Sequence, residues 1–238
     1  MRIGVYSSDA EKLCNPYILP QYRKNEMLSR PFHFALLLFL LVAPGCASMN
    51  RTQQIAGIPL PSDRMKNIRM LGECAYLVPP DRQELYASSL SDIIHQETDA
   101  LIRREAVLAI ANYRGPTTIK ALEFAAEDAD KDVRLAVCRA WMKYNAEESV
   151  PAVIGILASE TDLDIRLEAI EILGRMGDRQ AVPAMVIPLS STDPALHHYT
   201  VLALQNITGY SGTDPKQWLA YCQGEIEKPQ ERVAWFGN

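Results

Sequence analysis

The sequence is short of aromatic residues, 8% of its 238 positions, and carries no excess of basic charge. Its net charge of −5 argues against a nucleic-acid partner, because holding phosphates requires a basic surface. The five cysteines, Cys14, Cys46, Cys74, Cys138 and Cys222, form no CxxC pair and no Cys/His cluster at zinc spacing. A structural metal is therefore not expected. Neither a Gly-rich phosphate loop nor a nucleophile elbow occurs, so the residues point to no cofactor and no acyl-transfer chemistry. What is present is ordinary for a folded chain: 48% apolar and 22% charged residues, with Ala, Leu and Ile plentiful, a composition that favours helices.

The longest apolar run, residues 34–43, is ten residues long and follows Arg30. That is too short to cross a bilayer, which takes about 20 residues, and it suits the hydrophobic region of an export signal. Cys46 comes directly after it, in Ala43-Pro44-Gly45-Cys46-Ala47. This segment resembles the lipobox of bacterial lipoproteins. The resemblance implies a diacylglycerol on Cys46 and a membrane-anchored protein of the bacterial cell envelope. Ala47, in place of an Asp, favours the outer membrane. On this reading residues 1–26 are a non-native upstream extension with Met27 as the start, 27–45 the signal peptide, and 46–61 a polar tether containing Gly57, Pro59 and Pro61. Residues 62–226 form the folded domain with its C-terminal cap, and 227–238 a loose tail. Without residues 1–45 the chain has 19 basic against 26 acidic residues, which suits basic or neutral partners.

The folded part is organised by an internal repeat. Four segments begin with Asp, then two residues, an aliphatic, and Arg or His: Asp99-Ala-Leu-Ile102-Arg103, Asp130-Lys-Asp-Val133-Arg134, Asp162-Leu-Asp-Ile165-Arg166 and Asp193-Pro-Ala-Leu196-His197. Their first positions, 99, 130, 162 and 193, recur at a near-constant interval of about 31 residues, the length of one helix–turn–helix unit. An Asp at this place caps a helix by accepting from its first free amides, and Pro194 suits the first helical position. Counted from the Arg or His, the third residues are Ala106, Val137, Ala169 and Thr200. The sixth are Ala109, Ala140, Ile172 and Ala203, and the seventh Ile110, Trp141, Leu173 and Leu204. This spacing predicts one buried helix face per copy, with small residues allowing close approach. A second, shorter helix is expected in each unit, at 81–96, 116–126, 150–158 and from Gly177-Asp178 onward, after an N-terminal helix at 62–77. Two helices per unit stack into an all-α, right-handed solenoid, since no unit buries its apolar face alone. Trp218, behind Asp214-Pro215, is expected to close the C-terminal end.

The segments Gly177-Asp178-Arg179-Gln180-Ala181-Val182-Pro183 and Asp162…Ile165-Arg166…Ala169 resemble HEAT-like repeats of the phycobilisome-lyase type, over about residues 81–207. The resemblance implies that the repeat Asp and Arg are structural, linking turns and neighbouring units. Its iron-dependent hydroxylase branch needs paired His-Glu motifs, and this chain has no His-Glu dipeptide. Its bilin-lyase branch attaches chromophores to phycobiliproteins, a task for which an exported lipoprotein is in the wrong compartment. The adjacent pair His197-His198 does not change this, because neighbours on a helix point about 100° apart and no third ligand is evident.

The sequence thus reads as a non-enzymatic, lipid-anchored scaffold that binds another protein or peptide along a groove, with a chromophore-lyase-type enzyme or its accessory subunit as the alternative. The groove is expected to be lined by positions that packing leaves free: Arg104, Leu108, Leu135, Arg139, Leu167, Glu171, His198 and Leu202.

Overall fold

The computed structural model describes residues 61–227 and 229, and the signal segment, Cys46 and most of the C-terminal tail lie outside the described residues. Among the described residues there are ten α-helices and no strand. These are α1 (Pro61–Glu73), α2 (Pro80–Gln96), α3 (Ala100–Ile110), α4 (Pro116–Ala125), α5 (Lys131–Trp141), α6 (Ala146–Ser159), α7 (Leu163–Met176), α8 (Val186–Leu189), α9 (Pro194–Thr208) and α10 (Pro215–Cys222). The fold is an all-α solenoid, as its repeat pattern requires.

The caps are those the residues dictate. Asp99, Asp130, Asp162 and Asp193 each sit in extended backbone just before a helix and accept from its first amides. Asp162, for example, accepts from Asp164 N at 3.0 Å and Ile165 N at 3.3 Å. Gly177 and Gly209 close α7 and α9 in the left-handed conformation, φ 68° and 74°, which favours glycine.

Three elements differ from the sequence expectation. Helix α1 stops at Glu73 instead of residue 77, and Ala75–Leu77 form a 3-10 turn. Val78 must be extended because Pro79 follows it, so the α-helix cannot run on. Helix α6 starts at Ala146, earlier than expected, because Asn145 caps it and Glu147 and Glu148 favour its first turn. The element after Gly177 is a 3-10 helix, Arg179–Met185, running into the short α8. Pro183 and Pro188 remove amide donors there, and regular α-helix needs them.

Two rows of helices result. Helices α1, α3, α5, α7 and α9 pack one after the next in an inner row, and α2, α4, α6 and the 3-10/α8 segment form the outer row. All twelve predicted third, sixth and seventh positions are buried, including Ala106, Ala140, Trp141 and Thr200. The small residues set the spacing of the inner row. A Cβ on Gly72 of α1 would lie 2.7 Å from Ala109 Cα on α3, and one on Gly174 of α7 would lie 2.8 Å from Ala203 Cα on α9. Backbones this close leave no room for larger side chains, and interior packing density demands that closeness. Trp218 closes the end of the stack as expected: fully buried, it donates from Nε1 to Gly212 O at 2.8 Å.

Candidate functional site

The repeat arginines build a ladder of ion pairs between units. Arg103 meets the Asp128 carboxylate through two bonds of 2.7 Å, and its Nη1 donates to the carbonyls of Glu97 and Thr98. One unit on, Arg134 meets Glu160 at 2.7 and 3.3 Å, with Nη1 on the carbonyls of Asp128 and Ala129. Each acid also holds its own turn: Asp128 accepts from Asp130 N at 2.8 Å, and Glu160 from Thr161 N and Asp162 N at 2.8 and 2.9 Å. Glu97, paired with Arg64, does the same for Thr98 N and Asp99 N. Burial alone would raise the Asp128 and Glu160 carboxyls, but the arginine and the turn amides hold both below the usual carboxylate range. The linking role of the repeat Arg is thus realised. The acids that complete it stand just before each capping Asp, a regularity present in the sequence at 97, 128 and 160 but unread there.

The fourth rung is different. Ser191 occupies the place of the acid, and its Oγ accepts from Asp193 N at 3.1 Å but brings no charge. Arg166, the repeat arginine that would face it, has a buried Nε without a hydrogen-bond partner among the described residues.

The expected groove residues lie along the inner row but do not form one exposed apolar track. Leu108, Leu135 and Leu167 are half-buried against the core, and Leu202 alone of the four leucines is well exposed. Arg139 of α5 is tied to Glu168 of α7 by bonds of 3.0 and 3.2 Å, and Glu171 is paired with Arg175 within α7. Arg104 bonds the neighbouring Glu105 at 3.0 Å, and His198 is exposed with its ring edge-on to Tyr199. The leucines are covered because one helix row packs tightly on the next, which a count of free helical positions does not reveal. No group of three or more His, Cys, Asp or Glu side chains among the described residues is placed to hold a metal ion, and His197 and His198 belong to none. Cys138 is buried, and burial with Glu168 and Glu160 nearby pushes its thiol up to about 12, so it is an inert core residue.

The structure brings together residues the sequence did not connect. A cavity of about 750 Å³ opens at the N-terminal end of the inner row. Its walls come from the end of α1 and the 3-10 turn (Arg69, Gly72, Glu73, Ala75, Tyr76), the start of α2 (Pro80, Gln83), α3 and the turn after it (Glu105, Leu108, Ala109, Asn112, Arg114), and Lys143 after α5. Gln83 fixes the turn by donating to Ala75 O and Val78 O at 3.1 and 3.0 Å. Glu105 is buried and held between Arg69, at 3.2 Å, and Arg104, at 3.0 Å. Tyr113 OH donates to Leu71 O at 2.8 Å, and Tyr144 OH to Tyr113 O at 2.9 Å, so two tyrosines from successive repeats stitch three units together behind the cavity.

Stacked helix pairs capped by Asp and clasped by Arg–acid rungs define a HEAT-repeat solenoid, a class of fold that presents extended surfaces to other proteins. The family comparisons agree. Residues 87–173 match the HEAT repeats family, and residues 165–186 match the PBS lyase HEAT-like repeat. The chain is similar to the bilin biosynthesis protein PecE of Mastigocladus laminosus, 34% identical over 93 residues. That match covers 39% of this chain and 35% of PecE, so the chain spans about a third of the length of this curated relative. Among solved structures it is similar to the crystal structure of an engineered protein, at 20% identity and a TM-score of 0.41, covering 67% of this chain and 78% of that one.

Two expectations from the sequence are corrected here. The sequence reads as that of a non-enzyme, and that expectation is overturned by the chain's likeness to a bilin biosynthesis protein and its match to the PBS lyase HEAT-like repeat. The physical reason for the error is that solenoid repeats look alike whether or not chemistry is built on them. The bacterial cell envelope with the outer membrane favoured is likewise overturned as the location, since the relative found is a protein of bilin biosynthesis. No helix among the described residues is long and apolar enough to cross a membrane.

Proposed function

We propose that this protein is a chromophore-lyase-type HEAT-repeat protein, or the accessory subunit of one, that handles a bilin together with a protein partner. The observation that carries this reading is the 34% identity to the bilin biosynthesis protein PecE, supported by the PBS lyase HEAT-like repeat over residues 165–186. The architecture suits the work. A solenoid offers a long face to a partner, and the free side of α3, α5, α7 and α9 carries mixed charge and half-buried leucines around Leu135, Arg139 and Leu167. That face, including Arg104, Leu108, Glu171, His198 and Leu202, is the proposed partner surface. The cavity at its N-terminal end gives a small molecule a place beside the docked protein.

The experiment is direct. Purified chain is incubated with a bilin and an acceptor phycobiliprotein subunit, with and without candidate partner subunits, and covalent attachment is followed by absorbance and by fluorescence on denaturing gels. Faster or more selective attachment in the presence of the chain is expected. An unchanged rate and spectrum in every combination would remove the reading.

A further inference from the structure

Two cations at the inner-row cavity form no ion pair among the described residues. Lys143 Nζ donates to Asn112 Oδ1 at 2.8 Å, and no carboxylate among the described residues pairs with it. Arg114 donates to the carbonyls of Ala111 and Lys143, the latter at 2.5 Å, and its guanidinium lies 4.3 Å from the centre of the Tyr144 ring. It too lacks a carboxylate among the described residues. The two groups sit side by side in a protein whose net charge is −5. Their proximity is unfavourable: partial desolvation, then Arg114, push the Lys143 ammonium below its ordinary range.

The rest of the cavity sharpens the picture. Arg69 and Arg104 already neutralise Glu105, which leaves Glu73 as the one wall carboxylate against Arg114 and Lys143. The wall is therefore net positive, with Arg69, Arg114 and Lys143 against Glu73 and Glu105. Leu108, Ala109, Ala75, Pro80 and Tyr76 supply an apolar wall, and Tyr76 is 83% exposed at the rim. At about 750 Å³ the space lies within the usual range of small-molecule sites, roughly 300–1,000 Å³.

We propose that this cavity binds a small molecule carrying a carboxylate on a compact apolar body, with the carboxylate against Lys143 and Arg114 and the body against Leu108 and Tyr76. The bound anion separates the like charges and adds charge-assisted hydrogen bonds, which are stronger than neutral ones. The inference rests on the lyase-type reading only for what becomes of the ligand, not for its being held.

The test therefore measures binding alone, on the full chain. The probes are 1-pyrenebutyrate and its uncharged counterpart 1-pyrenebutanol, titrated by pyrene fluorescence. The butyrate is expected to bind at least tenfold tighter than the butanol. Lys143→Met is expected to weaken the butyrate roughly tenfold, the scale of one charged hydrogen bond, and to leave the butanol unchanged. Leu108→Asp should weaken both, and Lys120→Met, a cation on the outer helix α4, should change neither. Circular dichroism melting of each variant separates lost binding from lost fold. Equal affinity for the two probes, no binding of either, or indifference of the butyrate to Lys143→Met would each overturn the proposal. A failure of chromophore attachment with intact, Lys143-dependent binding would instead count against the lyase-type reading alone.

Discussion

The missing fourth rung can be built. In the middle units two rungs are complete, Arg103 with Asp128 and Arg134 with Glu160. Ser191 follows Arg166 at the same interval that separates Arg103 from Asp128, so Ser191→Asp places a carboxylate where Asp128 stands in its own unit. The turn tolerates the change, because Asp128 accepts from the amide of Asp130 just as Ser191 accepts from that of Asp193. The magnitude follows from the neighbouring rungs. Their acids are only 6–7% exposed and their arginines 15–19%, so the pair is better sheltered than a surface salt bridge of about 0–1 kcal/mol. The buried Nε of Arg166 has no hydrogen-bond partner among the described residues, and its pairing recovers about 1–3 kcal/mol. Desolvating the new carboxylate offsets part of that gain. A net stabilisation of about 1 kcal/mol is expected, a rise of roughly 2–4 °C in Tm for a domain of this size. The assay is thermal unfolding at pH 7 by circular dichroism for wild type, Ser191→Asp, Arg166→Met and the double variant. The gain should disappear in the Arg166→Met background, and Asp128→Ser should lose about 2 kcal/mol by emptying an existing rung. A gain that survives without Arg166, or no gain with it present, would refute the ladder as the source of inter-repeat stability.

Two further outcomes are expected. Because Asp128 and Glu160 titrate lower in the folded chain than in the unfolded one, their contribution is present above the unfolded value of about 4 and is lost as pH falls through their folded values. Tm should thus hold from pH 7 to about 5 and fall steeply below 4, more steeply still in Ser191→Asp; a Tm that stays level to pH 3 would contradict this. Gly174→Ala is expected to destabilise by about 1–3 kcal/mol in the same melting assay, although alanine favours helix by roughly 1 kcal/mol. The new Cβ would meet Ala203 Cα at 2.8 Å, a backbone contact that only separation of α7 from α9 relieves, and a higher Tm would show that these helices part freely.

The sequence by itself determined the local grammar of this protein. Capping aspartates at a near-constant interval, a proline at the start of α9, and buried residues three, six and seven positions after each Arg or His act within one helix and its turn. Such short-range chemistry can be read directly from spacing. The same signals made the solenoid and its closing Trp218 legible. They erred where proline altered the helix type, at Ala75–Leu77 before Val78-Pro79 and through Pro183–Pro188, because the backbone limits that proline imposes outweigh apolar periodicity. Only the tertiary structure decided what happens between units. How closely α1 approaches α3, and α7 approaches α9, fixes whether Leu108, Leu135 and Leu167 are open surface or half-covered wall. The reach of Arg103 to Asp128 and of Arg134 to Glu160 depends on the same stacking distance. The cavity is the strongest case: Arg69, Arg114 and Lys143 belong to three different repeats, and only the packing of three inner helices brings their charges to one opening.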